Sequence, residues 1–438
     1  MKIMQLWFQQ VYLLLLTMTF YVPGCLAGIS LFSDNSTLAA AYKVIENAIE
    51  SVDLSDIVEN LLNKAANPDQ FLSAPELIVK YGYPAENHTV TTTDGYILTL
   101  HRIPYSPKSP AAPNKPVVFL QHGILSSSAD WIILGPENSL GYLLADAGYD
   151  VWLGNARGNT YSKRHVSLSP SDSKFWDFSW HEMGIYDLPA VIDYVLDQTG
   201  QDNLYYIGHS MGTTMFYVLT SSLPQYNAKI RLMTSLAPIA YMGFVKSPLS
   251  KFFGANPLTK PLASMLGINQ FLPSNDLTSA FLGYICSDGS IIQQICSTVL
   301  FALCGYDPQE LNSTMLPVLM SHAPAGSSAK SFLHYAQDMN SGSFRHWDYG
   351  FIVNLFHYGQ LSPPEYNVSA ITVPVRLFYS DNDWFGDPTD VHKLNQSLGK
   401  PVGEYRVPLD SFNHLDFLWA IHVKSLVNDE VINFLANY

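Results

Sequence analysis

Short apolar runs with strand character alternate with helical segments along two parts of the chain, and this alternation constrains the fold more than any other feature. The run at 117–121 (VVFLQ) is almost continuously apolar, as expected of a strand buried on both faces of a sheet. Similar runs, and the helical segments between them, lie at 140–147, 150–153, 187–198, 204–207, 212–221, 230–236, 373–379 and 425–436. The pattern predicts the α/β class, with a mostly parallel central sheet flanked by helices.

The alternation stops between residues 241 and 367. This stretch is rich in Pro, Gly, Phe, Leu and Ser, and it predicts a helical insertion into the sheet domain, not more sheet. We therefore expect the sheet domain in two parts, 67–240 and 368–438. Ahead of the domain, residues 28–66 have apolar residues at helical spacing and predict a helical extension, to which we assign no function.

The first 27 residues have the parts of a secretory signal peptide. Lys2 is followed by an apolar run at 11–22 and by the small-residue pattern that ends at Ala27. The run of about a dozen residues is too short for a comfortable membrane span, so cleavage after Ala27 is favoured over an uncleaved anchor. We expect a secreted protein without a transmembrane segment in its mature chain, with the lysosome as the alternative location. Asn-x-Ser/Thr sequons predict glycosylation at Asn35, Asn87, Asn312, Asn367 and Asn395.

Three cysteines remain after loss of the leader, and an odd number in an oxidising compartment predicts one disulfide and one free thiol. Cys286 and Cys296 close a short loop and are the pair that we favour. Cys304 lies in an apolar stretch and is expected to be a buried thiol. A zinc site is not expected, because no Cys-x-x-Cys pair exists and the histidines are scattered.

The charge balance excludes some partners. Lys and Arg number 23 against 37 Asp and Glu, so the formal net charge is −14 at pH 7. Without a basic patch the chain lacks the electrostatic footprint that binds nucleic acid or an anionic membrane surface. Hydrophobic residues make up 47% of the 438 residues and charged residues 14%, which favours a large buried core over disorder.

The most informative stretch is LYYIGHSMGT at 204–213, in which a strand is followed by Gly-x-Ser-x-Gly and then by a helix. A serine hydroxyl is a weak nucleophile and must be held where a base can reach it. Gly208 and Gly212 would let neighbouring backbone pass close to the turn, and the helix N-terminus stabilises negative charge. Ser210 is therefore the candidate nucleophile, and an ordinary Gly/Ser loop is the alternative.

A serine nucleophile needs a base and an orienting acid, which follow it in this kind of fold in the order Ser, Asp or Glu, His. Asp383 lies a few residues beyond the strand at 373–379, and His414 lies in a loop before the last helix. Loops at the carboxyl ends of parallel strands are where such sheets collect their active sites. Other aspartates that could be the acid are Asp381, Asp387 and Asp390.

Two backbone N–H groups would complete the site. They would bind the negatively charged oxygen that forms when a serine nucleophile attacks a carbonyl group. One belongs to Met211, directly after the serine, and the other to Ile124, in the loop that follows the strand at 117–121. The His122-Gly123 pair in that loop is equally compatible with a plain turn.

These segments together resemble the acid lipase family of α/β-hydrolases. The resemblance runs from about residue 67 to the C-terminus, and several independent motifs in the right order make it far more specific than the serine motif alone. The matching stretches are YGYPAE, TTTDGYILTLHRIP, QHGILSSSADWI, VWLGNARGNTYS, YDLPAVIDYVL, YIGHSMGTT, NDWFGDPTDV and FNHLDF.

The resemblance implies an α/β-hydrolase fold in which the insertion at 241–367 is a cap domain. It implies hydrolysis of ester bonds in neutral lipids at a lipid–water interface, with no metal or cofactor. It makes Ser210 the nucleophile, Asp383 the acid and His414 the base. It also implies backbone donors at Ile124 and Met211 and a disulfide between Cys286 and Cys296.

The chain departs from the family pattern in three places. Met211 stands where the mammalian members commonly have Gln, the cysteine loop is about one residue longer, and residues 28–66 have no counterpart in the mammalian enzymes. A carboxylesterase of smaller esters or a peptidase on the same fold is one alternative function. A noncatalytic lipid-binding relative is another, although such relatives usually lose a member of the triad.

Overall fold

The structure, a computed structural model, describes residues 67–248, 269–272, 282–283, 286 and 291–438. The predicted signal peptide, the predicted helical extension and the sequon at Asn35 lie outside the described residues.

The strands and helices of the described residues follow the predicted alternation. The strands are β1 (Glu86–Thr91), β2 (Tyr96–Ile103), β3 (Val117–Gln121), β4 (Asp150–Leu153), β5 (Arg164–His165), β6 (Leu204–His209), β7 (Ile230–Leu236), β8 (Gln270–Phe271), β9 (Ser327–Ser328), β10 (Val375–Tyr379) and β11 (Pro401–Arg406). The helices are α1 (Ala74–Lys80), α2 (Leu140–Asp146), α3 (Trp180–Glu182), α4 (Leu188–Thr199), α5 (Met211–Ser222), α6 (Ile291–Cys304), α7 (Leu316–His322), α8 (Ala329–Ser341), α9 (Phe351–Tyr358), α10 (Pro388–Ser397), α11 (Asp416–Trp419) and α12 (Asp429–Asn437).

Nine strands of the described residues form one sheet in the order β1-β2-β4-β3-β6-β7-β10-β11, with β5 beside β2. The strands from β4 to β11 in this order are parallel to their neighbours, and β2 pairs antiparallel with β1, β4 and β5. From β3 the chain moves to β4 on one side and then returns to β6 on the other. The switch point is therefore beside β3, where the crevice outside the carboxyl ends of the strands is the usual ligand position. The predicted α/β fold class is confirmed.

Both faces of the sheet are buried. Alternate residues of β3 point into two apolar clusters, Val117 and Phe119 into one and Val118 and Leu120 into the other. Helices α4 and α5 contribute side chains to the first cluster, and α2 and α12 contribute to the second. Burial on both faces explains why these strands have continuous apolar runs in place of alternation.

Two elements beyond the switch point were not expected from the sequence. Strand β11 contains a proline, a glycine and a glutamate, and it forms the outer edge of the sheet beside β10, where its side chains stay partly exposed. Helix α10 begins at Pro388 after an Asp387 N-cap. Between β7 and β10 the described residues hold helices α6 to α9 and a short antiparallel pair, β8 with β9, which is separate from the main sheet.

Candidate active site

Ser210 lies in a sharp turn between β6 and α5. Its φ of 51° and ψ of −118° belong to a region that non-glycine residues rarely adopt. The turn is fixed by the Ser210 N–H, which donates to the Leu236 carbonyl over 3.1 Å, and by the Thr213 hydroxyl, which donates to the Ser210 carbonyl over 2.6 Å. The strained backbone therefore holds the serine hydroxyl at the carboxyl edge of the sheet.

The two glycines of the motif are required by close approach of backbone. A Cβ at Gly212 would lie 2.2 Å from the Gln121 carbonyl oxygen, and a Cβ at Gly208 would lie 2.8 Å from the Gly212 carbonyl carbon. Neither position has room for a side chain. The turn thus packs directly against the end of β3.

Three side chains from separate loops form one chain of hydrogen bonds. His414 Nε2 lies 2.8 Å from Ser210 Oγ, and His414 Nδ1 lies 2.9 and 2.8 Å from the two carboxylate oxygens of Asp383. All three residues are buried. The Asp383 contact fixes the proton on Nδ1, which leaves Nε2 free to accept the serine proton.

Asp383 is held as a carboxylate in a fully buried position. Its Oδ1 accepts the N–H groups of Phe385 and Gly386, each over 2.8 Å. Burial alone would raise the pKa of Asp383, but His414 and these hydrogen bonds outweigh it and hold the pKa below its usual value. The group is therefore able to stabilise a positive charge on His414.

The loop after β3 lies against Ser210. A Cβ at Gly123 would lie 3.1 Å from the Cβ of Ser210, so the backbone of this loop packs against the serine. Ile124 is the next residue in the loop. Within the described residues, the N–H groups of Ile124 and Met211 have no hydrogen-bond acceptor. His122 supports the loop by donating from Nδ1 to the Gly123 carbonyl over 2.7 Å and by accepting from the Ala156 N–H over 3.0 Å.

Comparison with known proteins identifies the family. A protein-family model described as a partial alpha/beta-hydrolase lipase region matches residues 74–135. A second family model, described as the alpha/beta hydrolase fold, matches residues 116–268. Lipase 3 of Drosophila melanogaster is 46% identical over 365 residues, which cover 83% of this chain and 92% of that protein. Gastric triacylglycerol lipase of Rattus norvegicus is 41% identical over 372 residues, which cover 84% of this chain and 93% of that protein.

The chain belongs to the acid lipase family of α/β-hydrolases. The resemblance predicted from the motifs is confirmed, and by family the protein is a lipase, a carboxylic ester hydrolase. A crystal structure from Sulfolobus solfataricus agrees in fold, with a TM-score of 0.52 at 16% identity over 78% of this chain and 90% of that one.

His209 was missed as a site residue of this lipase, although it stands inside the serine motif. Its Nε2–H donates to the main-chain oxygen of His414 over 3.0 Å. Burial, together with repulsion from His414, lowers the pKa of His209 to about 3, so the ring is neutral. The only signal in the sequence was its position next to Ser210.

The end of α6 was also missed as a part of the lipase site. The Cys304 carbonyl accepts the N–H groups of Trp384 and His414, each over 3.4 Å. Cys304 is a buried free thiol, and burial raises its pKa. Cys286 and Cys296 are joined by a disulfide. The segment between β7 and β10 therefore contacts the loops of both the candidate acid and the candidate base.

The other candidate acids are bound elsewhere. Exposed Asp381 accepts from Arg406, Asp387 caps α10 and pairs with Lys246 over 2.7 Å, and Asp390 accepts the Phe244 N–H over 2.8 Å. The structure thus brings Asp383 to His414 and leaves the other three apart from it.

The predicted sequons differ in exposure. Asn87 and Asn367 are exposed, and Asn312 and Asn395 are partly buried. In the part of the chain that the structure describes, His, Cys, Asp and Glu side chains form no group of three or more that could hold a metal ion. Within the same residues, each helix is too short or too polar to cross a bilayer.

Proposed function

We propose that this lipase hydrolyses the carboxylic ester bonds of neutral lipids through an acyl-enzyme formed on Ser210. The observation that carries the proposal is the continuous hydrogen-bond chain from Ser210 through His414 to Asp383. Triacylglycerols are the first substrate class to consider, because the gastric lipases of Rattus norvegicus and Homo sapiens are named for them and are 41% and 40% identical to this chain. Sterol esters are the second.

In the first half of the reaction, His414 Nε2 takes the proton of Ser210 as Oγ attacks the ester carbonyl carbon. Asp383 stabilises the imidazolium that forms. The carbonyl oxygen becomes an oxyanion, and the backbone N–H groups of Ile124 and Met211 stabilise it. The ester C–O bond then breaks, and the alcohol leaves with the proton from His414.

In the second half, His414 takes a proton from water as the water oxygen attacks the acyl carbon on Ser210. The acyl–Oγ bond breaks, the fatty acid leaves, and the proton returns to Ser210 Oγ. Because the donors are backbone groups, Met211 can serve in place of the Gln that is common in mammalian members.

We also propose that residues 241–367 form a cap between the two parts of the hydrolase domain, 67–240 and 368–438. Two contacts support this. The Cys304 carbonyl binds the loops of the acid and the base, and the Ala325 N–H donates to the Leu125 carbonyl of the loop after β3 over 2.6 Å. The cap would thereby shape the entrance for the acyl chain.

For the location, the proposal is secretion after cleavage behind Ala27, with the lysosome as the alternative. Exposure of Asn87 and Asn367 supports glycan attachment at these two sequons. Residues 1–27 have the order of parts that a secretory signal peptide requires.

The test is hydrolysis of emulsified triolein, cholesteryl oleate, a dissolved short-chain ester and a peptide amide by wild type and Ser210→Ala. We expect turnover of the lipid esters to fall by at least about 10⁴-fold in Ser210→Ala. Ser221→Ala, on the far end of α5, is the matched control and should behave as wild type. Near-normal ester turnover by Ser210→Ala would refute the assignment. Turnover of the dissolved ester alone would favour a carboxylesterase, and failure to label with a fluorophosphonate probe would favour a noncatalytic protein.

A further inference from the structure

Helix α9 presents its apolar side chains outward. Phe356 is 85% exposed, Phe351 66% and Ile352 58%. The one polar residue in the middle of the helix, Asn354, is 1% exposed. The α9 patch, as we call this surface, consists of Phe351, Ile352, Val353, Leu355 and Phe356 on the helix and Leu361 just beyond it. An inverted pattern of this kind marks a surface for interaction.

The helix is held in place by polar contacts of its buried residue. The Asn354 amide donates to Asp348 Oδ1 over 2.8 Å and to the Leu361 carbonyl over 3.0 Å, and its oxygen accepts the Tyr349 N–H over 3.0 Å. These bonds tie both ends of the helix to its middle. The apolar side chains are therefore not needed to hold the helix in place.

Aromatic residues with polar atoms flank the α9 patch in the sequence. The His357 ring lies 4.7 Å from that of Tyr349 and 4.6 Å from that of Tyr358, and the Tyr358 hydroxyl donates to the Trp347 carbonyl over 2.9 Å. Tyr and Trp are enriched where one end of a side chain meets an apolar phase and the other meets water.

The charge of the segment favours one kind of partner. Residues 349–364 contain no Asp, Glu, Lys or Arg, although the chain has a formal net charge of −14. The outward side chains of the α9 patch have no hydrogen-bonding groups, whereas a protein interface usually carries about one hydrogen bond per 100–200 Å². An uncharged apolar phase matches both properties. Burying the α9 patch in such a phase breaks no ion pair and leaves no polar side chain of the patch without a hydrogen bond.

The patch belongs to the part of the molecule that packs on the nucleophile helix. Asp348 precedes α9, and Gln337 lies on α8. The Asp348 N–H donates to the Gln337 side-chain oxygen over 2.7 Å, and the Gln337 amide nitrogen donates to the Asp348 carbonyl over 3.1 Å. Two residues earlier on α8, the Tyr335 hydroxyl lies 2.8 Å from the hydroxyl of Thr214, one turn beyond Ser210 on α5. A lipid phase bound at the α9 patch would therefore contact the same part of the molecule that packs, through α8, on α5 beside the active site.

We propose that the α9 patch docks this lipase on an uncharged lipid–water interface. The choice of a lipid partner rests on the proposed function. Docking acts by insertion of the outward side chains into the lipid phase, as interfacial helices do, and it leaves the chemical step at Ser210 unchanged.

The test compares wild type with the double variant Phe351→Ser/Phe356→Ser. Val79→Ser on α1 is the matched control, since Val79 is 61% exposed. Partition is measured on phosphatidylcholine vesicles, and hydrolysis is measured on emulsified triolein and on a short-chain ester below its solubility limit. We expect the double variant to lose at least about tenfold in vesicle partition and in the rate on emulsion, because two inserted aromatic side chains are removed. Its rate on the dissolved ester, and all rates of the control, should match wild type.

Unchanged vesicle partition of the double variant would overturn the proposal. A wild-type dimer that the double variant converts to a monomer, with vesicle partition unchanged, would assign the patch to a second copy of the chain. Tighter partition on vesicles that contain phosphatidylserine would also overturn it, because an anionic surface would then be the partner. A wild type that binds vesicles through the patch but hydrolyses no ester would refute the proposed function alone.

Discussion

His209 donates its Nε2–H to the main-chain oxygen of His414 over 3.0 Å, so the residue before the candidate nucleophile holds the loop of the candidate base. Ser210 meets the side chain of the same histidine over 2.8 Å. Two adjacent residues at the end of β6 therefore fix His414 at both its backbone and its ring. Gly123 packs on the other side of His209, which links this contact to the loop after β3.

We expect His209 to be a positioning residue for the reaction. In His209→Ala the loss of a buried hydrogen bond of about 1–2 kcal/mol should lower kcat on a dissolved ester by about tenfold, with KM little changed. His209→Gln should retain most of kcat, because its amide nitrogen can reach the same carbonyl. Equal losses in both variants, together with equal falls in Tm, would indicate a packing role only.

Asp383 and Asp381 provide a matched pair, since both follow β10 and only Asp383 contacts His414. Asp383→Asn should lower kcat by about 10⁴-fold, because an amide neither fixes the histidine proton on Nδ1 nor stabilises the imidazolium. Asp381→Asn loses an exposed contact with Arg406 and should keep wild-type kcat within about twofold. If Asp381→Asn were the inactive variant, the acid would be misassigned.

Arg157 should be important for stability. Its buried guanidinium binds Asp187 and Asp94, with contacts of 2.6 to 2.9 Å. Arg157→Met leaves both carboxylates without their partner and should cost about 3–5 kcal/mol of the free energy of unfolding, measured by urea titration.

Arg406 is the control for this prediction, because it also binds two aspartates but is exposed. Arg406→Met should leave the urea midpoint close to that of wild type, since water solvates the freed carboxylates. Similar midpoints for the two variants would show that burial of the Arg157 cluster does not matter for stability.

His101 should make the stability depend on pH. Burial lowers its pKa to about 4, whereas an unfolded histidine has a pKa of about 6.5. Between these values the unfolded chain binds a proton that the folded chain does not, so the contribution is complete above pH 6.5 and is lost as the pH falls towards 4. The corresponding slope is at most about 1.4 kcal/mol per pH unit.

The measurement is urea unfolding of wild type and His101→Asn at pH 6.5 and at pH 4.5. Asn can keep the contact with the Ser128 hydroxyl, which lies 2.7 Å from His101 Nδ1, but it does not titrate. We expect the variant to lose less stability than wild type between the two pH values. Parallel losses would contradict a neutral buried His101.

Local patterns predicted much of the sheet and the site. The bounds of β3 and β7 agree with the predicted runs at 117–121 and 230–236. For β3 the reason is its burial on both faces of the sheet, which favours a nearly continuous apolar run. The turn at Ser210 was predictable because Gly208 and Gly212 stand where backbone comes too close for a side chain. Strand β11 was not, because Pro401 and Gly403 oppose strand formation and pairing with β10 overrides them.

The sequence by itself determined the α/β class, the order of the motifs and the candidate nucleophile, since each depends on residues close together in the chain. Only the tertiary structure decided which aspartate meets His414, that His209 binds the His414 backbone, and that α9 turns its apolar face outward. The physical reason is distance along the chain. His209 and His414 are 205 residues apart, and no local periodicity records which loops the sheet brings together at one edge.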